Sequence, residues 1–386
     1  MAKRKKVRVL IYGYEYPPLG GGAANSADYL LREFSKDKEL EIDFVTAAPG
    51  FYFRKTKKYG NVRLHFLPVR LGWGRSLQRQ KVWDMAFYTL VAFGYTWRLI
   101  LGGENYDLTH FMGYPGGLVS WMFSWKWKYV VSLWGIEVPG YSEKYRRWYP
   151  VYKLVVRLVW SRASRVVAIS EGIGELARRS WPGLAYEVIT NGVETKLYKP
   201  VSKRKKYRKF TVTAGGTILG KIKGIEYLIR GFAAFAREWP ASRLWLVGDG
   251  DEKENLAQLA QQLGVEGQVK FLGRRSKRFI QRYLPRCQVL CLPSLNEGMS
   301  NAVLEGMACG LPVVITNTGG RSEVFEENGL VVPKRNAKSI YRALVKLRKN
   351  EERRRLMGKK SRKLALKFGW ARVAREYKKV YVQVAR

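Results

Sequence analysis

The stretch "NEGMSNAVLEGMACGLPVV", residues 296 to 314, carries two glutamates, Glu297 and Glu305, each followed by glycine. A carboxylate offers two acceptor oxygens, enough to take both hydroxyls of a ribose or two hydroxyls of a sugar ring. The residues before it, "QVLCLPS", read as a strand, and "SNAVLEGMACG" reads as a helix, so Glu297 and Gly298 fall in the turn at the strand's C-terminal end. Gly298 and Ser300 let backbone N–H groups converge at the helix start, where the helix dipole adds its attraction for an anion; a diphosphate suits that position. Glu305, one to two turns in, then reaches a ribose, and Glu297 lies on the far side of the diphosphate beside a sugar. A capping role for Glu297 and a solvated helix position for Glu305 would account for either carboxylate alone. It does not account for both in register with their glycines and the following "CGLPVV".

Other reactive types are sparse. Asp249 and Asp251 in "GDGD" have a spacing that can bind a metal, but between a strand and the helix "EKENLAQLA" Asp251 is expected to cap the helix. Cys287, Cys291 and Cys309 lack a nearby histidine, so neither a metal centre nor a disulfide framework is expected, and no cofactor is called for. The chain holds two histidines, His65 and His110, the latter inside the strand "DLTHFMG".

These residues need elements to hold them. Short Val, Ile and Leu runs alternate with helical patterns: "VRVLIYGY", "IDFVTAA", "LHFLPV", "DLTHFMG", "YVVSLWG", "RVVAIS" and "YEVIT", then "KFTVTAGG", "RLWLVGDG", "QVKFLG", "QVLCLPS", "LPVVITN" and "GLVVP". Runs apolar throughout, separated by helices, indicate parallel strands covered on both faces. At 386 residues the chain fits two such α/β domains. The reading is a doubly wound domain over 1–198, a basic linker over 199–209 ("KPVSKRKKYRK"), a second doubly wound domain over 210–366, and a C-terminal helix over 367–386 that packs back on the first domain. Two such domains facing one another leave a central cleft at their strand ends, where ligands of these sheets bind.

Lys and Arg number 71 against 31 Asp and Glu, a net charge of +40, which points to an anionic partner. Residues 51 to 100 hold ten basic side chains and one acid, Asp84, interleaved with Tyr52, Phe53, Trp73, Trp83 and Phe87. This block suits an anionic membrane surface, the alternative being a solvated basic face over hydrophobic helices. No nucleic-acid recognition motif accompanies the charge. The segment 85–103, with Arg98 and three glycines, reads as a helix packed on one side and not as a membrane span, and the basic start is too short in apolar residues for a secretory signal. A cytoplasmic protein, peripheral on the inner face of the cell membrane where it docks, is the expectation.

The two-glutamate signature within "PSLNEGMSNAVLEGMACGLPVVITNTGG" resembles that of the retaining nucleotide-sugar glycosyltransferases of the GT-B fold, family 4. The likeness continues in order through "YEYPPLGGGAANSADYL", "ASRVVAISEGI", "VITNGVETKLYKP", "KGIEYLIRGF", "LWLVGDG" and "VKFLGR". It implies two Rossmann-like domains and metal-independent transfer of a sugar from a nucleoside diphosphate to an acceptor hydroxyl, with retention. It places Glu305 on the ribose, Glu297 on the donor sugar, the amides of Met299, Ser300 and Asn301 on diphosphate or sugar oxygens, and Gly20, Gly21 and Gly22 close to the donor from the other domain. The family's phosphate-clamping Lys corresponds to Lys223 in "AGGTILGKIKG"; Gly216 stands where its Arg would be, and Lys221 is the candidate to replace that charge. Trp134 in "LWGIE" stands where many members have a histidine, so a His-based double displacement is not expected. A same-face reaction, with the leaving phosphate taking the acceptor proton and Lys223 and the helix amides stabilising its charge, is the expected course. Trp134, Glu137 and His110 are the candidates on the acceptor side, the acceptor being a glycan hydroxyl, lipid-linked or phosphorylated. The alternatives are a nucleotide-sugar 2-epimerase of the same fold and a non-catalytic basic binding protein.

Overall fold

The computed structural model describes residues 6–48, 56–69, 82–113, 117–142, 146–147, 149–218 and 220–386. The chain divides into two compact units, one of residues 1–191 with 370–386 and the other of residues 192–369. Of the aromatic block, Tyr52, Phe53 and Trp73 lie outside the described residues.

Among the described residues the first unit has an eight-stranded sheet in the order β3-β4-β2-β1-β5-β6-β7-β8. The strands are β1 (Val7–Tyr12), β2 (Leu40–Ala48), β3 (Thr56–Tyr59), β4 (Val62–Pro68), β5 (Leu108–Met112), β6 (Lys128–Leu133), β7 (Arg165–Ala168) and β8 (Glu187–Val188). All pair in parallel except β3, a polar edge strand antiparallel to β4 whose sequence, "TKKY", has no apolar run to betray it. The central strand β5 is buried at every position, which is why its sequence, "LTHFM", shows no alternation of apolar with solvent-seeking residues.

Parallel strands require right-handed crossovers. The step from β1 to β2 therefore puts α1 (Gly22–Phe34) on one face of the sheet, and the C-terminal helix α13 (Trp370–Ala385) packs beside it against β1, β5 and β6. Tyr29 stacks on Trp370 there, ring centroids 5.6 Å apart. The steps β4 to β5, β5 to β6 and β6 to β7 run the other way along the sheet and put α2 (Val82–Leu101), α3 (Gly117–Met122) and α4 (Tyr149–Ser161) on the opposite face. Among the described residues no helix is long and apolar enough to cross a membrane.

The second unit has six parallel strands in the order β11-β10-β9-β12-β13-β14. They are β9 (Thr211–Ile218), β10 (Arg243–Asp249), β11 (Val269–Phe271), β12 (Val289–Leu292), β13 (Val313–Thr316) and β14 (Gly329–Val332). Its beginning differs from the expected domain boundary at 198. The Val193 N–H donates to Phe368 O at 2.7 Å, and the Arg362 guanidinium donates to the carbonyls of Tyr198 (2.7 Å) and Thr195 (3.1 Å), so 192–198 belong with this unit. Nor is 199–209 a free linker: Lys206 Nζ donates to Cys287 O at 2.8 Å and the Tyr207 N–H to Arg286 O at 3.0 Å.

Candidate active site

In the second unit the chain leaves β12 through residues 293–300 and enters α9 (Asn301–Ala308), with Ser300 at the N-cap position. Met299 and Ser300 are buried, and the Ser300 hydroxyl makes no cap bond, so the first-turn amides are not quenched by that side chain. Gly298 lies against Gly320: a Cβ at Gly320 would sit 1.8 Å from Gly298 O.

The loop after β9 docks onto this one. Gly220 leads into a 3-10 turn, Lys221–Lys223, which Gly224 closes in the left-handed region at φ +63°. A Cβ on Gly224 would come 2.1 Å from Pro293 O, and the Leu295 N–H donates to Ile222 O at 2.7 Å. This zipper sets the side chains. Lys223 Nζ meets Glu297 Oε2 in an ion pair, both groups largely enclosed, and Ser294 Oγ lies 3.3 Å from the same oxygen. Lys221, in contrast, is exposed on the turn. Gly216 falls within β9 where its register with β10 shifts, so the lengthened segment stays in the strand as an irregularity.

Glu305 faces a different environment. Burial of its carboxyl pushes its pKa up to about 7, against the hydrogen bond from Tyr198, which holds it down. Tyr198, 2% exposed, was invisible as a site residue from spacing, since 107 residues separate the pair; only its place in "NGVETKLYKP" signals it.

In the first unit, polar groups gather beyond the C-terminal ends of β1 and β6. Gly20 is left-handed at φ +80° and Gly21 is the N-cap of α1. The Gly21 N–H donates to Glu15 Oε2 at 3.2 Å, and a Cβ at Gly20 would strike that carboxylate at 2.2 Å. Gly22 begins the helix and is exposed. Glu137 is 3% exposed: its Oε1 accepts the N–H groups of Trp134 and of Gly135, the latter at 2.8 Å, while its Oε2 has no partner. Burial pushes this carboxyl up to about 7, the amides of Gly135, Glu137 itself and Trp134 pull it down, and the charge of Glu15 adds a little to the rise. Trp134 is partly buried against the core beneath α13.

His110 does not belong with these groups, contrary to the acceptor role expected for it. It is 0% exposed, with Nδ1 at 2.7 Å from the Tyr381 hydroxyl and Nε2 at 2.7 Å from Ser132 Oγ, so both nitrogens are spent inside the core. Burial lowers its pKa to about 3. His65 is likewise tied, to Asp43 at 2.6 Å and Tyr95 at 2.8 Å. Asp251 is not the cap of α7 (Lys253–Gln262); Glu252 holds that position. Among the described residues no group of three or more His, Cys, Asp or Glu is arranged to hold a metal ion. All three cysteines are buried and free.

Comparison with known proteins fits this geometry. The family described as Glycosyl transferases group 1 matches residues 198–364, and that described as Glycosyl transferase 4-like domain matches residues 21–192. The N-acetyl-alpha-D-glucosaminyl L-malate synthase of Bacillus anthracis is 24% identical, the match covering 96% of each chain. The sucrose-phosphate synthase of Thermosynechococcus elongatus superposes with a TM-score of 0.84 at 20% identity, over 98% of this chain and 99% of that one. HepE of Anabaena, solved in complex with UDP and glucose, gives a TM-score of 0.74 at 20% identity over 98% and 100%. The fold is that of the GT-B glycosyltransferases.

Proposed function

We propose, from the premise that this chain belongs to the glycosyl transferases group 1, that it moves a sugar from a nucleoside diphosphate to an acceptor hydroxyl with retention at the anomeric carbon. The observation that carries the reading is the pair of carboxylates bracketing the start of α9, Glu297 ahead of it on Lys223 and Glu305 within it on Tyr198. The α9 amides and Lys223 receive the diphosphate, Glu305 takes the ribose hydroxyls, and Glu297 orients the sugar. Lys221 stands free on its turn to follow the outer phosphate as a solvated charge. HepE, a neighbour in fold, was solved with UDP and glucose, which supports a uridine nucleotide as the first donor to try.

In the reaction the bond from the anomeric carbon to the phosphate oxygen breaks, and the acceptor oxygen bonds to the same face of that carbon. The acceptor proton passes to the departing phosphate oxygen. Charge grows on the phosphate in this step, and Lys223 with the helix amides stabilises it without a metal ion. Glu137, buried and with a free oxygen, accepts a hydrogen bond from an acceptor hydroxyl, and Trp134 walls that site. The acceptor is a glycan, lipid-linked or phosphorylated, met at an anionic membrane surface; the charge of +40 supports this. A 2-epimerase would call for an acid–base histidine, and both histidines are spent on structural hydrogen bonds.

Slow hydrolysis of the cognate donor, followed by proton NMR of the sugar first released, tests the reading. Initial appearance of the donor's own anomer is the expected result; the opposite anomer would exclude retention.

A further inference from the structure

Helix α2 is apolar on both sides. Asp84, Met85, Tyr88, Ala92 and Thr96 are buried in the first unit, and the solvent side presents Phe87, Leu90, Trp97 and Leu101, with Leu90 70% and Leu101 82% exposed. Arg98 is the one charge on that outer stripe. Helix α4 repeats the pattern. It buries Val156, Val159 and Trp160 and turns Val151, Leu154 and Leu158 outward at helical spacing, the first two more than 60% exposed. Met122 of α3 and the adjoining Trp125 lie between, and Trp125 reaches Trp97 with ring centroids 6.4 Å apart. Because α2, α3 and α4 cover the same face of the first sheet, in contact α2 to α3 and α3 to α4, these side chains form one apolar surface. Scattered exposed leucines need no explanation; a continuous patch of this kind does.

The charges on it say what covers it. Arg98, Lys126, Lys128, Lys153 and Arg157 are exposed on these segments, whereas their single acid, Asp84, is buried. A second copy of the chain would bring like charges together around the apolar centre. An anionic bilayer surface offers the complement: headgroups for the cations, and the acyl boundary for Leu90, Leu101, Trp97, Trp125 and Leu154.

We infer that the outer face of α2, α3 and α4 is the docking surface of this protein for an anionic phospholipid bilayer, lying flat in its interface. This deepens the interfacial reading above by naming the face and its ligand. The test reads binding and not transfer, so either reading can fail while the other stands.

The test is co-flotation of the full chain with vesicles of phosphatidylcholine containing one-third phosphatidylglycerol. The wild type is compared with L90E/L154E, with K153E/R157E, and with L366E, an exposed leucine of the second unit. Circular dichroism and melting temperature check that each variant folds. The wild type should float, the two face variants should bind at least about tenfold more weakly, and L366E should match the wild type. A wild type that stays in solution, or face variants that float as it does, overturns the inference. So does a concentration-dependent dimer in sedimentation that L90E/L154E abolishes, which would assign the face to a second copy.

Discussion

Lys223 and Glu297 stand 74 residues apart and meet as an ion pair. The two loops that carry them are joined by the Leu295 N–H to Ile222 O hydrogen bond. On the function proposed above, a bound donor would part them, the phosphate drawing the ammonium and the sugar the carboxylate. Lys223→Met and Glu297→Gln should each slow donor turnover by about 10²–10³-fold, with the double variant far from the product of the two, because the pair acts as a unit. Steady-state rates of the four proteins check this. The melting temperature should fall less in the double variant than in Lys223→Met, which leaves an enclosed charge unpaired.

Gly224 is the residue on which that zipper depends. Gly224→Ala must strain a left-handed backbone and push Pro293 O away, whereas Gly264, also left-handed at φ +68°, faces open space. Gly224→Ala should therefore cost roughly 2–4 kcal/mol against ~1 kcal/mol for Gly264→Ala. Thermal unfolding of the two variants makes the comparison, and donor affinity should drop only in the first.

His110 predicts an acid limb of stability. Its pKa, lowered to about 3 by burial, lies below that of an unfolded histidine, so the unfolded chain binds the extra proton and stability falls as pH drops from about 6.5 towards 3. His110→Phe should flatten this limb while lowering stability at neutral pH, since the buried Tyr381 hydroxyl loses its histidine partner and Ser132 keeps only that of Tyr377. Melting curves from pH 4 to 8 give the slope. Acceptor KM should not respond.

Glu137 predicts the opposite sign. Its carboxyl is raised to about 7, so it is neutral in both states at low pH, and stability is lost as pH rises from about 4.5 through 7. Glu137→Gln keeps an acceptor for the Trp134 and Gly135 amides and removes the buried charge. Its unfolding free energy relative to wild type should improve between pH 5 and pH 8, by roughly 2–3 kcal/mol at most. Acceptor KM should rise in the variant, with donor affinity unchanged.

Much of this arrangement was legible in the chain. Runs apolar throughout, such as "VLIY" (residues 9–12) and "VLCL", announce parallel sheets, because only side chains buried on both faces drop the alternation. The turn around Glu297 was legible for a similar reason: Gly298 and Glu305 sit at fixed offsets from a strand end and a helix start. What escaped was whatever depends on distant segments. Tyr198 reaches Glu305 through the tertiary fold, and "TKKY" becomes a strand only because β4 offers it an edge. His110 looked available because a histidine in a strand gives no sign of which neighbours fill its two nitrogens. The outward apolar stripe of α2 was hidden by its inner one, since a helix apolar all round has no moment to reveal two surfaces.

The central claim is that Glu305 and the start of α9 hold a nucleotide sugar, and calorimetric titration of the wild type and Glu305→Ala with UDP-, GDP- and ADP-sugars tests it most directly. One donor should bind, about 10–100-fold more weakly in the variant, and more tightly to the wild type at pH 8 than at pH 6, since Glu305, raised to about 7, accepts ribose hydroxyls best when ionised. Binding of equal strength in both proteins, or of no donor to the wild type, would contradict the account.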